Sequence, residues 1–231
     1  MRKLRFGCAL ALVFAATTAA ALPKDETKRL NDAATVVGEM RNAEDSGIPE
    51  EIWRKAECVV VIPGLKKGGF IIGGEFGSGV MSCRNAGQWG APVFMKMTKG
   101  SAGLQAGVQS TDLVLVVMNR KGVEKLLGNK VTLGTDASVA AGPVGRTASA
   151  ATDAALSAEM LAYSRSKGLF AGIDLSGGSL RPDDSSNAHA YGEGVSAREI
   201  ALGTKVVAIP VEARTFTEAL GRNVRATTGV K

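Results

Sequence analysis

The spacing of hydrophobic and polar positions changes several times along the chain, and each change marks an element. Over residues 24–43, Leu30, Ala33, Ala34, Val37 and Met40 recur at helical spacing, with Lys28, Arg29, Asp32, Glu39 and Arg41 on the other faces. That predicts an amphipathic helix. Its apolar face is narrow and alanine-rich, which suits packing on its own domain better than lying in a membrane surface. Ser46-Gly47-Ile48-Pro49 breaks the pattern, and Pro49 is placed to open a second short helix running to Glu57. The period then shortens. Residues 58–63 (CVVVIP) form a dense β-branched run. Residues 63–68 read as a turn carrying Lys66 and Lys67, 69–76 as the returning strand, Gly77-Ser78-Gly79 as the next turn and 80–84 as a third strand. Further strands are predicted at 93–97, 103–109 and 112–118. Short strands punctuated by glycine turns indicate an antiparallel sheet that curls or closes.

Beyond the sheet a helix is predicted over 121–127, and strand character resumes at 131–134. Residues 138–146 are small and glycine-punctuated, and 147–158 have no clear period. Residues 159–176 read as two strands joined at Lys167-Gly168, 181–186 as a polar loop and 187–194 as a helical turn. Helices follow over 195–202 and 216–220, ahead of a basic end from Arg222. The segment 163–180 (YSRSKGLFAGIDLSGGSL) is the most distinctive, with a basic, hydroxyl-rich strand, a glycine turn and an apolar run. The fold class expected is α+β. It is a single glycine-rich domain with a curled or closed antiparallel β-sheet, flanking short helices and an N-terminal amphipathic helix.

Composition fits that picture and adds a destination. Apolar residues make up 45% of the 231, enough for one sizeable core, and the 29 glycines agree with many turns. The first 21 residues have the form of a cleaved bacterial-type signal peptide. Arg2, Lys3 and Arg5 precede an apolar run over 6–16, and Ala19-Ala20-Ala21 offers small residues for cleavage. The mature domain would then be residues 22–231. Losing three basic residues and no acid lowers the formal charge from +6 to +3, which weakens the case for a polyanionic partner. No later apolar run reaches the roughly 18 residues of a membrane span. The expected localisation is periplasmic or secreted, with peripheral association to a membrane. Two cysteines remain, Cys58 and Cys83. If 58–62, 69–76 and 79–84 are three separate strands of a meander, the two lie at opposite ends of the sheet. Buried thiols are then expected in preference to a disulfide.

Catalytic patterns are missing from the sequence. His189 is the one histidine, read as a surface residue, and no cluster of ligand residues accompanies it for a metal. Ser78 and Ser176 lack the glycine flanks of a nucleophile elbow. The glycines at 73, 74, 77 and 79 sit in a strand setting, unlike a phosphate loop. Asp183-Asp184 reads as a solvated pair. The basic residues lack the aromatic interleaving of a nucleic-acid surface. The expectation is a protein that is not an enzyme, has no cofactor or metal, and binds no nucleic acid.

Several blocks do carry a resemblance. They are Ile62-Pro63 followed by Lys67-Gly68-Gly69-Phe70-Ile71-Ile72-Gly73-Gly74, Gly77-Ser78-Gly79, Trp89-Gly90-Ala91-Pro92, Gly103-Leu104-Gln105-Ala106-Gly107 and Asp112-Leu113-Val114-Leu115-Val116. Gly142-Pro143-Val144-Gly145-Arg146, the 163–172 segment, and Asn187 with Tyr191-Gly192 complete the set. In this order, over roughly residues 30–220, they resemble the SYLF domain, a lipid-binding and actin-regulator family with bacterial exported members. The resemblance implies one α+β domain that binds phospholipid membranes. Eukaryotic members prefer phosphoinositides and fungal ones bind actin. For an exported chain, the portable part is binding to an anionic phospholipid membrane, and actin is the less fitting partner.

The expected lipid contacts are Lys66 and Lys67 in the first hairpin, Arg165 and Lys167 in the distinctive strand pair, and Arg146. At about 1 kcal/mol for each basic residue near an anionic surface, four supply only millimolar affinity. An apolar group must therefore insert as well, and Leu65 and the N-terminal helix are the candidates. The alternatives are an envelope structural or protein-interaction module, and a carrier enclosing an apolar ligand in its curved sheet.

Overall fold

Cys58, Val59, Val60, Val61 and Ile62 are all completely buried. Successive strand residues point to opposite faces, so this strand must be covered on both sides, and the rest of the fold supplies the two covers. The computed structural model describes residues 21–43, 47–69, 72–102, 109–144, 157–166, 169–172 and 175–222. Two helices, α1 (Lys24–Asn42) and α2 (Glu50–Lys55), lead into the long strands β1 (Cys58–Gly69) and β2 (Ile72–Asn85). After the short β3 (Gln88–Trp89) come β4 (Val93–Ala102), β5 (Gln109–Val117) and α3 (Arg120–Leu126). β6 (Val131–Thr132), β7 (Val139–Ala141), β8 (Met160–Ser166), β9 (Leu169–Gly172) and β10 (Ser179–Pro182) complete the strands. The chain ends with α4 (Asp184–Tyr191), α5 (Ala197–Leu202), a 3-10 turn (Val211–Ala213) and α6 (Arg214–Gly221).

The main strand order is β6-β10-β4-β2-β1-β5-β8-β7, with β3 added to β2 and β9 to β8. Laid flat, eight strands would hold the outermost pair about 34 Å apart. Yet β6 and β7 are joined by residues 133–138, which can span only about 20 Å, and Leu133 bridges Ala137. The sheet must therefore curl until its two ends meet. Inside the curl Val60, Ile62, Met81, Met95, Met97, Leu113, Leu115 and Met160 pack as one cluster, joined by residues of α3 and α5. Outside, Val59, Val61, Val80, Phe94, Val114, Val116 and Tyr163 pack beneath α1, α2 and α6. The α+β class and the curled sheet are as the sequence implies. The sheet is mixed, however, because β7 runs parallel to β8.

Helix α1 follows the periodicity closely. Leu30, Ala33, Ala34, Val37 and Met40 are buried on its sheet-facing side, so this helix packs on its own domain. Three readings need correction. Residues 63–68 are not a turn: β1 continues to Gly69, and Pro63-Gly64 is absorbed where the register slips against both neighbours. Gly77-Ser78-Gly79 is not a turn either, but the middle of β2. A Cβ on Gly79 would lie 1.9 Å from the Val61 carbonyl oxygen, so glycine is there to let β1 approach. Because β1 and β2 are each one long strand, Cys83 returns directly beside Cys58. Their Cα atoms are 4.0 Å apart and a disulfide joins them, in place of the two thiols expected at opposite ends.

Residues 181–186 are also structured. β10 ends at Pro182, and the Asp183 carboxylate accepts from the Ser186 amide at the start of α4. On α4, the Asn187 side chain accepts from the Phe94 amide at 2.8 Å and donates to the Phe94 carbonyl at 3.1 Å. The Tyr191 hydroxyl donates to the Pro92 carbonyl. Two widely separated sequence blocks thus meet to hold α4 on the start of β4.

Candidate functional site

The ends of β1, β2, β4 and β5 opposite the disulfide form the site on which the expected lysines fall. The register slip is held by Asp112 on β5, whose carboxylate accepts from the Gly64 amide at 2.9 Å. Beyond the slip Leu65 turns inward and is buried, so the next residue, Lys66, faces outward and Lys67 inward. Lys66 is exposed. Lys67 lies 3.4 Å from the Glu75 carboxylate across the hairpin. The two lysines are neighbours in sequence and on opposite faces of the sheet.

Pairing along the outer face places Thr98, Phe76, Lys66 and Ser110 in one row across the four strands. All four are exposed. Phe76 is 55% exposed and directly opposite Lys66. In the next row outward Gly100, Gly74 and Gly68 lie side by side, a shelf of backbone without side chains. The site is therefore a flat face with one aromatic ring and one lysine at its centre. An aromatic body with a neighbouring long cation suits the boundary between a polar and an apolar phase.

Arg165 shares the outer face. Its guanidinium donates to Asp112 at 3.0 Å and 2.9 Å and also meets the Glu39 carboxylate on α1. It thereby clamps α1, β5 and β8 together. Arg146 and Lys167 lie outside the described residues. Of the five expected contacts, Lys66 and Arg165 thus share a face, Lys67 points away from it, and the other two are not described. Leu65 is buried and α1 is packed on the sheet, so neither expected inserting group is available. Phe76 is the exposed apolar group that sequence reasoning missed. Its alternation matches that of Val80 on the same strand, which is fully buried under helices, so periodicity cannot tell the two apart.

A second polar cluster ties α1 to the sheet. Asp183, with 1% of its side chain exposed, lies 2.7 Å from Arg29 and 2.7 Å from Lys96. Burial alone would raise its pKa. Hydrogen bonds from Lys96, Arg29, Ser185 and Ser186 outweigh that and hold the carboxyl well below the ordinary range. The solvated pair expected from sequence is thus one anchor and one exposed residue, Asp184. His189, within the segment expected to be a helical turn, is on α4 with its Nδ1 3.2 Å from the Glu26 carboxylate. Among the described residues no group of three or more His, Cys, Asp and Glu side chains is placed to hold a metal ion. No helix there is long and apolar enough to cross a membrane.

Comparison with known proteins agrees with the motif blocks. The model of the Ysc84 family, described as "Las17-binding protein actin regulator", matches residues 98–223, just over half of the chain. That match leaves Lys66 and Phe76 outside it. The chain is 36% identical over 163 residues to LAS seventeen-binding protein 3 of Saccharomyces cerevisiae, covering 69% of this chain and 35% of the relative. It is 33% identical over 183 residues to SH3 domain-containing YSC84-like protein 1 of Xenopus laevis, covering 78% and 54%. Against the Bos taurus protein of the same name it is 30% identical over 206 residues, covering 86% and 60%. The chain spans between about a third and three fifths of the length of these three relatives, which are named as a binding protein or as SH3 domain-containing proteins. On the family match and the ordered motif blocks together, the chain belongs to the Ysc84 family of actin-regulator domains, the SYLF domain.

Proposed function

We propose that this chain is a non-enzymatic, exported protein that docks peripherally on anionic phospholipid through the outer face of the β1–β2 end. The observation that carries the reading is Phe76, 55% exposed and paired across the strands with Lys66. Burying the Phe76 ring is worth about 2 kcal/mol. Lys66 would add about 1 kcal/mol on an anionic surface. The total of about 3 kcal/mol corresponds to a dissociation constant of several millimolar, to order of magnitude, and so to weak, reversible and salt-sensitive docking. The Cys58–Cys83 disulfide supports residence in an oxidising compartment.

The test is co-sedimentation of residues 22–231 with neutral and anionic vesicles at low and high salt. Binding to anionic vesicles is expected to fall with salt. Phe76→Ser should weaken it about tenfold or more, and Lys66→Glu should weaken it at low salt only. Absence of binding to either vesicle type overturns the reading. A protein-interaction module is the second reading, and residues 204–211 favour it. Val206, Ile209 and Val211 there are 101%, 48% and 66% exposed, and the yeast relative is named for binding another protein. The carrier reading is disfavoured by the close packing of methionines and branched residues inside the curl.

A further inference from the structure

At the other end of β2, about eight residues or roughly 26 Å along the strand from Phe76, a cleft of about 490 Å³ opens between α1, α2, β3 and α6. Two arginines sit on two indole rings in its lining. The Arg41 guanidinium lies 4.4 Å from the Trp53 ring centre, and that of Arg84 lies 4.3 Å from Trp89. Stacking leaves the edge of a guanidinium, with its N–H groups, free to face a ligand. The edges are only partly occupied. Arg84 donates once from each nitrogen, to the carbonyls of Ala56, Gly87 and Trp53. Arg41 donates from its two terminal nitrogens to Glu50 and to the Leu220 carbonyl. Since a terminal guanidinium nitrogen carries two N–H groups, each of these four nitrogens keeps one without a hydrogen bond among the described residues.

The charges in the cleft are unbalanced. Arg41 is 6% exposed, and its one carboxylate partner, Glu50, is 48% exposed at 3.3 Å. Among the described residues no carboxylate lies within ion-pair distance of Arg84; Arg54 adds a third cation to the lining and Glu218 a second carboxylate, which leaves three cations against two carboxylates. Burial lowers the affinity of Arg41 for its proton, Glu50 offsets part of this, and the like charge of Arg84 lowers it again. Two guanidiniums held near one another, one of them buried, form a site that a divalent tetrahedral anion would relieve by bridging them.

We propose that this cleft binds a phosphomonoester group, with Arg41 and Arg84 as its two clamps and Glu50 as the carboxylate it displaces. The site is separate from the outer face at Lys66 and Phe76 and does not depend on docking there. A soluble metabolite and a lipid headgroup share this chemistry, and the experiment separates the two sources.

The chain holds only two tryptophans, and both line this cleft, so their emission reports its occupancy. The probes are inorganic phosphate, glycerol 3-phosphate and vesicles containing phosphatidic acid, each against chloride at matched ionic strength. A saturable emission change with the phosphates and not with chloride is expected. Arg84→Gln should raise the half-saturating concentration about tenfold. Glu50→Gln, at an exposed position, should lower it severalfold by removing the competing carboxylate, and it decides the matter if Arg84→Gln fails to fold. A response to the soluble phosphates alone assigns the site to a soluble ligand, and a response to the vesicles as well assigns it to a headgroup. Lys66→Glu should leave the response to the soluble phosphates unchanged. An emission change that tracks ionic strength alone, or a half-saturation unmoved by both variants, overturns the proposal.

Discussion

Asp183 shows how much of this molecule depends on single buried groups. Its folded carboxyl is more acidic than an unfolded one, so the stability it confers is fully present above the unfolded carboxylate pKa, about 4. That stability is lost as pH falls toward the folded value. Asp183→Asn should cost about 3 kcal/mol at pH 7, because Arg29 and Lys96 lose their shared partner. The gap to the unmodified protein should narrow at pH 3, and urea unfolding at both pH values measures it. Gly142 makes the parallel case for shape. A Cβ there would fall 2.1 Å from the Tyr163 ring, so Gly142→Ala should destabilise by roughly 2 kcal/mol through overpacking, read as a lower thermal midpoint. Two motif blocks far apart in sequence are thus matched surfaces of one contact. Neither residue's role was legible beforehand. An aspartate next to another aspartate looks solvated, and a glycine next to proline looks like a turn, until the partner that meets it is known.

Elements were legible where local signals agree with their surroundings. Helix α1 announces itself by periodicity. Helix α5 starts with Ser196 and Glu199 capping each other's backbone amides, a signature carried entirely within four residues. β1 and β2 were misread because Pro63-Gly64 and Gly77-Ser78-Gly79 have the chemistry of turns. Here the first is a slip within a continuing strand, and the second makes room for β1. That misreading also displaced the cysteines, since the pairing of Cys58 with Cys83 follows only from the full strand lengths. The bridge closes a loop of 25 residues and should contribute about 3 kcal/mol through the unfolded chain. Chemical unfolding with and without a phosphine reductant checks this, and an unchanged midpoint would show the bridge to be energetically idle. The exposed row was only half legible. Lysines flag themselves by charge, whereas the exposure of Phe76 depends on which part of the sheet the helices leave uncovered.

At the scale of the whole molecule, the outer and inner faces of the curled sheet differ in use. The interior is a filled core, and the exterior is divided between helices and the open row at Lys66 and Phe76. Joining the ends of the sheet through residues 133–138 has one further consequence. Among the described residues, the strands left at the free margins of the sheet are short: two residues in β3, two in β6, three in β7 and four in β9. The long strands β1, β2, β4 and β5 each have neighbours on both sides. A foreign strand seeking unsatisfied backbone donors and acceptors finds little ladder on which to grow. A protein so rich in β-branched and glycine residues would otherwise be prone to sticking to copies of itself. Among the described residues, the short marginal strands limit edge-to-edge pairing by geometry, independently of surface charge.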